Sequence, residues 1–91
     1  MLEKVKLSLK ITTNDFDDEI IDLIEASKLD LGISGVESTS IVDTDALIIR
    51  AITTYCKMNW GSPSDYDRLK ASYDEQKAQL SMNSNYTDFG E

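Results

Sequence analysis

The sequence predicts an all-α fold, a small bundle of about four helices with an extended C-terminal tail. Three observations carry this prediction. Residues 16–31 place their apolar side chains on one side of a helix, and residues 43–59 are apolar over more than half of a helical circumference. A glycine, a serine and a proline between positions 60 and 65 separate the last two helices. The length of 91 residues fits one domain.

The first segment, residues 1–11, fits either a short helix or a half-buried strand. Leu2, Val5 and Leu9 form a two-turn helical stripe, whereas the apolar residues from Val5 to Ile11 also alternate with polar ones. We favour the helix, because no second convincing strand is available as a partner. An isolated strand would leave its backbone hydrogen-bonding groups unsatisfied.

The second helix is predicted over residues 16–31. Thr13 or Asn14 can accept hydrogen bonds from its first amides, and the acidic residues that follow complement the positive end of the helix dipole. Gly32 and Gly35 lie where a helix end favours residues that tolerate positive φ. A polar loop is expected to follow.

The third helix is predicted to begin at Asp43 or Thr44 and to end at Asn59. Only a narrow polar strip interrupts its apolar surface. So wide an apolar face is typical of the central helix of a bundle, or of a helix that serves both a core and an interface.

The turn between the third and fourth helices carries the clearest local signals. Gly61 is predicted to end one helix, Ser62 to cap the next, and Pro63 to occupy its tolerated first position. Asp65 completes a pattern that resembles a capping box. The fourth helix is then predicted to begin at Pro63 and to carry Tyr66, Leu69, Tyr73 and Leu80 on one stripe.

Residues 81–91 are rich in asparagine and serine, which gives them poor helical propensity. They predict a flexible C-terminal tail after a helical domain of residues 1–80. Met82, Tyr86 and Phe89 are apolar side chains in this otherwise polar tail, and the pattern is typical of a segment that orders on a partner. These three residues are the candidate partner-binding residues.

The charge of the chain restricts its partners. It has 17 acidic residues, 9 basic residues and no histidine, so that its formal net charge is −8. Nucleic-acid binding depends on lysine and arginine that neutralise phosphates, and this balance argues against it. The charge is compatible with simple solubility, with a basic protein partner, or with a surface that DNA passes without sticking.

Nothing in the sequence predicts secretion or a membrane span. No run of about 18 apolar residues occurs, and Glu3, Lys4 and Lys6 interrupt the apolar positions that a signal peptide would need. The single cysteine, Cys56, cannot form an intrachain disulfide. We therefore expect a protein that is cytosolic when made.

We expect no catalytic, cofactor-binding or metal site, and hence no enzyme. Cys56 lies on an apolar helix face without a histidine to activate it. The acidic pairs at the helix starts lack the glycine of a calcium loop, and complementation of the helix dipole explains them. An acyl carrier protein would need an Asp-Ser-Leu motif, which this chain lacks.

Taken in order, these features resemble the head-tail connector (adaptor) protein family of tailed double-stranded DNA phages and prophages. The resemblance covers almost the whole chain. It is carried by residues 2–11, 15–27 and 46–60, by the Gly61-Ser62-Pro63 turn and by residues 80–84. The chain departs from the commoner pattern in its longer polar loop, residues 37–43, and in Ser27, where a small alanine is usual.

The resemblance implies a structural virion protein that forms a ring below the portal, joins the phage head to the tail and extends the DNA channel. It implies three partners, namely the portal protein, neighbouring copies in a homo-oligomeric ring, and a stopper or tail-completion protein. Neither sequence-specific nucleic acid nor membrane is implied. The expected locations are the host cytoplasm during assembly and the virion neck. The net charge alone supports an alternative, an acidic regulatory or DNA-mimic protein that blocks a basic protein partner.

Overall fold

The computed structural model describes residues 1–87, which form four α-helices and one short 3-10 turn. The helices are α1 (Leu2–Leu9), α2 (Asp17–Ile33), α3 (Ala46–Asn59) and α4 (Tyr66–Ser81), and the 3-10 turn is Ser38–Ser40. Residues 1–87 contain no strand. The predicted all-α bundle is therefore confirmed, including the choice of a helix for the first segment.

Helix α3 lies at the centre of the bundle and packs against α1, α2 and α4. Ile48, Ala51, Ile52 and Cys56 are fully buried, whereas Leu47 at the first turn is about half exposed. The wide apolar face of α3 is thus used mainly inside the chain. This burial is what the central helix of a bundle requires.

Two aromatic pairs connect the helices around α3. The ring of Phe16, just before α2, meets that of Trp60, just after α3, edge to face with centroids 5.4 Å apart. Tyr55 of α3 and Tyr73 of α4 meet in the same way at 5.3 Å. Such edge-to-face contacts add to the stabilisation that comes from burying the rings.

Helix α1 ends in a left-handed turn without glycine. Lys10 has a φ of 60°, and the amides of Lys10 and Ile11 donate to the carbonyl oxygens of Leu7 and Lys6. This pair of hydrogen bonds is the Schellman arrangement, in which a residue with positive φ satisfies the last carbonyls of a helix. The chain can then reverse direction toward α2.

The start of α2 differs from the prediction. Neither Thr13 nor Asn14 caps its first turn with a side chain. Thr13 Oγ1 accepts instead from the amide of Asp15, which precedes the helix, and Asn14 Oδ1 accepts from Lys6 Nζ at 2.8 Å. The buried ammonium group of Lys6 needs a hydrogen-bond acceptor, and Asn14 provides one.

Of the two glycines predicted to end α2, only Gly35 does so, because the helix continues past Leu31 to Ile33 and includes Gly32. The unusual conformation belongs to Gly35, whose φ is 108°. The amide of Gly35 donates to the carbonyl oxygen of Gly32, and the amide of the buried Val36 donates to the carbonyl oxygen of Leu31. Both distances are 3.0 Å. This turn brings Val36 into the core.

Helix α3 begins after Asp45 rather than at Asp43 or Thr44. Asp45 Oδ1 accepts hydrogen bonds from the amides of Leu47 at 2.9 Å and Ile48 at 3.3 Å. Its backbone is extended, which is the usual conformation of a residue that caps a helix. One carboxylate therefore satisfies two of the free amides at this helix start.

The predicted Ser62 cap of α4, the first helical position at Pro63 and the capping box with Asp65 are wrong, whereas the positive φ expected of Gly61 is confirmed. Helix α4 begins three residues after Pro63, at Tyr66, and no side chain caps its first amides. The carboxylate of Asp65 accepts from Arg68 instead. The Ser-x-x-Asp pattern is only local, whereas packing of the buried residues of α4 against α3 fixes where the helix forms.

Gly61 and Ser62 can be compared directly, because they are adjacent. Gly61 has a φ of 66°, and a Cβ added there would meet no atom within 4 Å. We expect Gly61→Ala to lower the free energy of unfolding by about 1 kcal/mol through backbone strain alone. Ser62→Ala should change it by less than about 0.5 kcal/mol, because no cap is lost. Urea unfolding of both variants measures the difference, and equal effects would contradict this turn.

Candidate functional site

The candidate partner-binding residues do not share one environment. Met82, just after α4, is 84% exposed. Tyr86 is half-buried and packs against the core, and Phe89 lies outside the described residues. Met82 and Tyr86 line the same groove of about 760 Å³, between the start of α3 and the end of α4, together with Leu47 and Arg50.

Tyr86 is held on the bundle from both its backbone and its side chain. Its carbonyl accepts from the amide of Glu37 at 2.7 Å, and its hydroxyl donates to Asp45 Oδ2 at 2.9 Å. The hydrogen bond to Asp45, followed by burial, raises the pKa of the Tyr86 hydroxyl. The hydroxyl therefore stays protonated and remains a donor.

The contact between Asp45 and Tyr86 was not predicted from the sequence. The two residues are separated by 41 positions, and no local pattern connects them. The only available signal was an aspartate directly before the first apolar residues of α3. The polar loop of residues 37–43, whose role the sequence left open, provides through Glu37 the amide that holds the Tyr86 backbone.

A second polar contact joins α2 to α4. The hydroxyl of the buried Tyr73 donates to Asp30 Oδ2 at 2.7 Å, and Lys77 Nζ lies 3.1 Å from the same oxygen. Lys77 Nζ also lies 5.2 Å from the centre of the Tyr73 ring. Burial alone would raise the pKa of Asp30, but the hydrogen bonds from Tyr73 and Lys77 outweigh it, and the pKa is lowered. This cluster is a structural contact with a charged carboxylate.

Cys56 is fully buried in α3, and burial raises the pKa of its thiol to about 12. We expect iodoacetamide to leave the native protein unlabelled at neutral pH and to label it readily in urea, because the thiolate is the reactive form. Cys56→Ala should cost on the order of 1 kcal/mol for the small cavity. Mass spectrometry after timed labelling makes the test, and rapid labelling without urea would contradict burial.

Within residues 1–87, no three histidine, cysteine, aspartate or glutamate side chains lie close enough together to hold a metal ion. None of the four helices is long and apolar enough to span a bilayer. The two most strongly raised pKa values belong to Cys56 and Tyr73, and neither residue lines a surface groove.

Comparison with known proteins gives one match. A family model described as phage connector protein matches residues 1–87 of the 91. No curated protein and no solved structure is similar to this chain. The match includes all four helices and the turn that holds Tyr86 on the bundle. The chain therefore belongs to the phage connector protein family, whose members are structural proteins of the junction between phage head and tail.

Proposed function

We propose that the chain forms a homo-oligomeric ring below the portal, joins the phage head to the tail and extends the DNA channel. Its proposed partners are the portal protein, neighbouring copies of itself, and a stopper or tail-completion protein. The observation that carries the proposal is the connector family match over residues 1–87. Assembly would take place in the host cytoplasm, and the finished ring would lie in the virion neck.

The exposed apolar side chains support an assembling protein. Leu29 and Ile33 are 70% and 85% exposed and lie one turn apart on the side of α2 that faces away from the core. Met82 is exposed on another element, directly after α4. A ring subunit needs separate contacts for its neighbours and for the portal, and apolar residues at separate places can provide them.

The charge supports a channel wall. At a net charge of −8 the protein repels phosphates, and DNA could pass such a surface without being retained. A tight DNA-binding surface would instead oppose transport through the junction.

The ring itself is tested by mixing the purified protein with the portal protein of the same phage or prophage at moderate salt. Native mass spectrometry counts the subunits, and negative-stain microscopy shows where they lie. We expect a cyclic stoichiometry set by the portal. No complex at micromolar concentrations of both proteins would contradict the proposal, and stoichiometric inhibition of a nuclease or repressor would support the acidic regulatory alternative.

The tail is the proposed portal attachment. Tyr86 is already bound to Asp45, so its contact fixes the turn after α4, and Met82 remains available on that turn. Met82→Ser should leave the circular dichroism spectrum unchanged and weaken portal binding at least tenfold. Leu7→Ser, at an equally exposed leucine on α1, is the matched control. Removal of residues 88–91 tests Phe89 separately. Equal losses in the Met82 and Leu7 variants would contradict attachment through the tail.

A further inference from the structure

A groove of about 540 Å³ between α1, α3 and α4 concentrates basic residues in an acidic chain. Lys4, Arg50, Lys57 and Arg68 line it, and no carboxylate does. Four of the nine basic residues therefore meet at one surface of a chain with a net charge of −8. We call this surface the basic groove.

Most other basic residues already have an acidic partner. Ion pairs within residues 1–87 occupy Lys6, Lys28, Arg68, Lys70 and Lys77. Lys4, Arg50 and Lys57 form none within that range and are exposed. Arg68 pairs with Asp65, yet its side chain stays largely accessible. The basic groove thus holds positive charge that the described chain leaves largely uncompensated.

The outer face of α2 carries the opposite charge. Three exposed carboxylates without an ion pair in the described range lie in its first two turns, Asp18, Glu19 and Asp22, and a fourth, Asp15, lies just before the helix. At about 100° per residue the three helical carboxylates share one side of α2 with Leu29 and Ile33. This acidic face is opposite to the face that Ile20, Ile24 and Leu31 bury in the core.

Helix α1 contributes to both the basic groove and the contact with α2. Lys4 and Ser8 lie one turn apart on the side of α1 that lines the groove. Lys6 lies about 200° further around the helix than Lys4, and its ammonium reaches Asp17 at the start of α2 at 2.8 Å. The basic groove and the start of α2 therefore meet different sides of α1.

We propose that the acidic face of α2 in one copy docks into the basic groove of the next copy. The proposal rests on the proposed ring and names its subunit contact. Two different, complementary surfaces generate a head-to-tail contact, which closes into a ring when the rotation between copies permits. Such a contact also explains how acidic subunits associate, because the unpaired cations of the basic groove attract the carboxylates of the neighbour's acidic face.

A neighbouring copy fits the groove better than DNA does. Besides its cations, the groove is lined by Ala46, Ile49 and Leu69, apolar side chains that pack on a helix but gain nothing from phosphates. Leu47, which is about half exposed, lies three residues before Arg50 on α3, beside the basic groove. The acidic face of α2 likewise continues into the apolar pair Leu29 and Ile33. Each surface therefore combines charged side chains with exposed apolar ones.

Charge reversal tests the contact in assemblies with portal. Arg50→Glu and Asp18→Lys should each stay folded by circular dichroism and lose at least tenfold in ring occupancy, with a reduced effect at high salt. Lys10→Glu and Asp67→Lys are the matched controls, because they change exposed charges outside both surfaces. Normal rings from either test variant, or equal losses in the controls, would overturn the proposal. If the wild-type chain forms no ring with portal, the proposed function fails first.

Two further measurements use the geometry directly. A carbodiimide joins lysine amines to carboxylates in contact, so wild-type rings should yield links between copies from Lys4 or Lys57 to the acidic face. An equimolar mixture of the Arg50→Glu and Asp18→Lys chains should regain ring occupancy relative to either chain alone, because the glutamate introduced at position 50 meets the lysine introduced at position 18 of the neighbouring copy. Links confined to other residues would overturn the proposal. The proposal would also be overturned if the Arg50→Glu chain formed rings normally but bound duplex DNA less tightly at low salt, because the groove would then contact DNA and not a neighbouring copy.

Discussion

Replacing Lys6 with alanine is expected to lower the free energy of unfolding by about 3 kcal/mol. Lys6 is only 5% exposed, and its ammonium lies 2.8 Å from Asn14 Oδ1 and 2.8 Å from Asp17 Oδ1. Removal leaves Asp17 without its counter-charge and Asn14 without its donor. Breaking a buried pair costs roughly 3–5 kcal/mol. We expect the lower end, because the Asp17 side chain keeps 27% exposure.

Urea unfolding measures this loss, and Lys4→Ala is the matched control. Lys4 lies on the same helix and is exposed, without an ion pair among residues 1–87. Its replacement should change the free energy of unfolding by less than about 0.5 kcal/mol. Lys6→Met, which keeps the apolar stem, separates the packing of the side chain from its charge. Equal results for the Lys4 and Lys6 variants would show that the buried pair does not hold α1 to α2.

The burial of Lys6 could not be predicted from the sequence. The helical stripe of Val5 and Leu9 was readable from the sequence, and the structure buries Val5 and leaves Leu7 exposed, as a helix requires. Nothing in the pattern placed Lys6 inside. Its partner Asp17 comes only after the chain has reversed direction, so the pair depends on how α1 and α2 meet.

Helix caps illustrate the same division between local and long-range effects. Several residues in the sequence can cap a helix, but the sequence does not predict which of them do so. The side chain of Asn14 accepts a hydrogen bond from Lys6 instead, and Ser62 lies too far before α4 to cap it. Asp45 caps α3 with one carboxylate oxygen and accepts from the Tyr86 hydroxyl with the other. The glycine turns were predictable, because the positive φ of Gly35 and Gly61 is a local requirement.

The candidate contact surfaces were predictable only in part. Met82 is exposed, and its place in a polar tail already singled it out. The basic groove was not visible in the sequence, since Lys4, Arg50, Lys57 and Arg68 come from three helices and form no cluster along the chain. Packing of α1 and α4 on α3 brings them together. Counting charged residues gives the excess of acidic over basic side chains, but it does not show where the basic side chains lie on the surface.

Replacing Asp45 with alanine is the second change for which we expect a large loss, about 2 kcal/mol of the free energy of unfolding. One oxygen of Asp45 accepts from the amides of Leu47 and Ile48, and the other accepts from the hydroxyl of Tyr86. Tyr86→Phe removes only the second contact and should cost about 1 kcal/mol. Asp43→Ala is the control, because the Asp43 carboxylate is exposed and caps no helix.

The two functions of Asp45 can be separated in a double-mutant cycle. If one carboxylate serves both the cap and the tail, Asp45→Ala combined with Tyr86→Phe should cost about 1 kcal/mol less than the sum of the single changes. Strict additivity in urea unfolding would contradict the shared contact. Hydrogen exchange gives an independent measurement, since both single variants should speed exchange at the amide of Glu37, which donates to the Tyr86 carbonyl. Only Asp45→Ala should also speed exchange at the first amides of α3, because Tyr86→Phe leaves the cap in place.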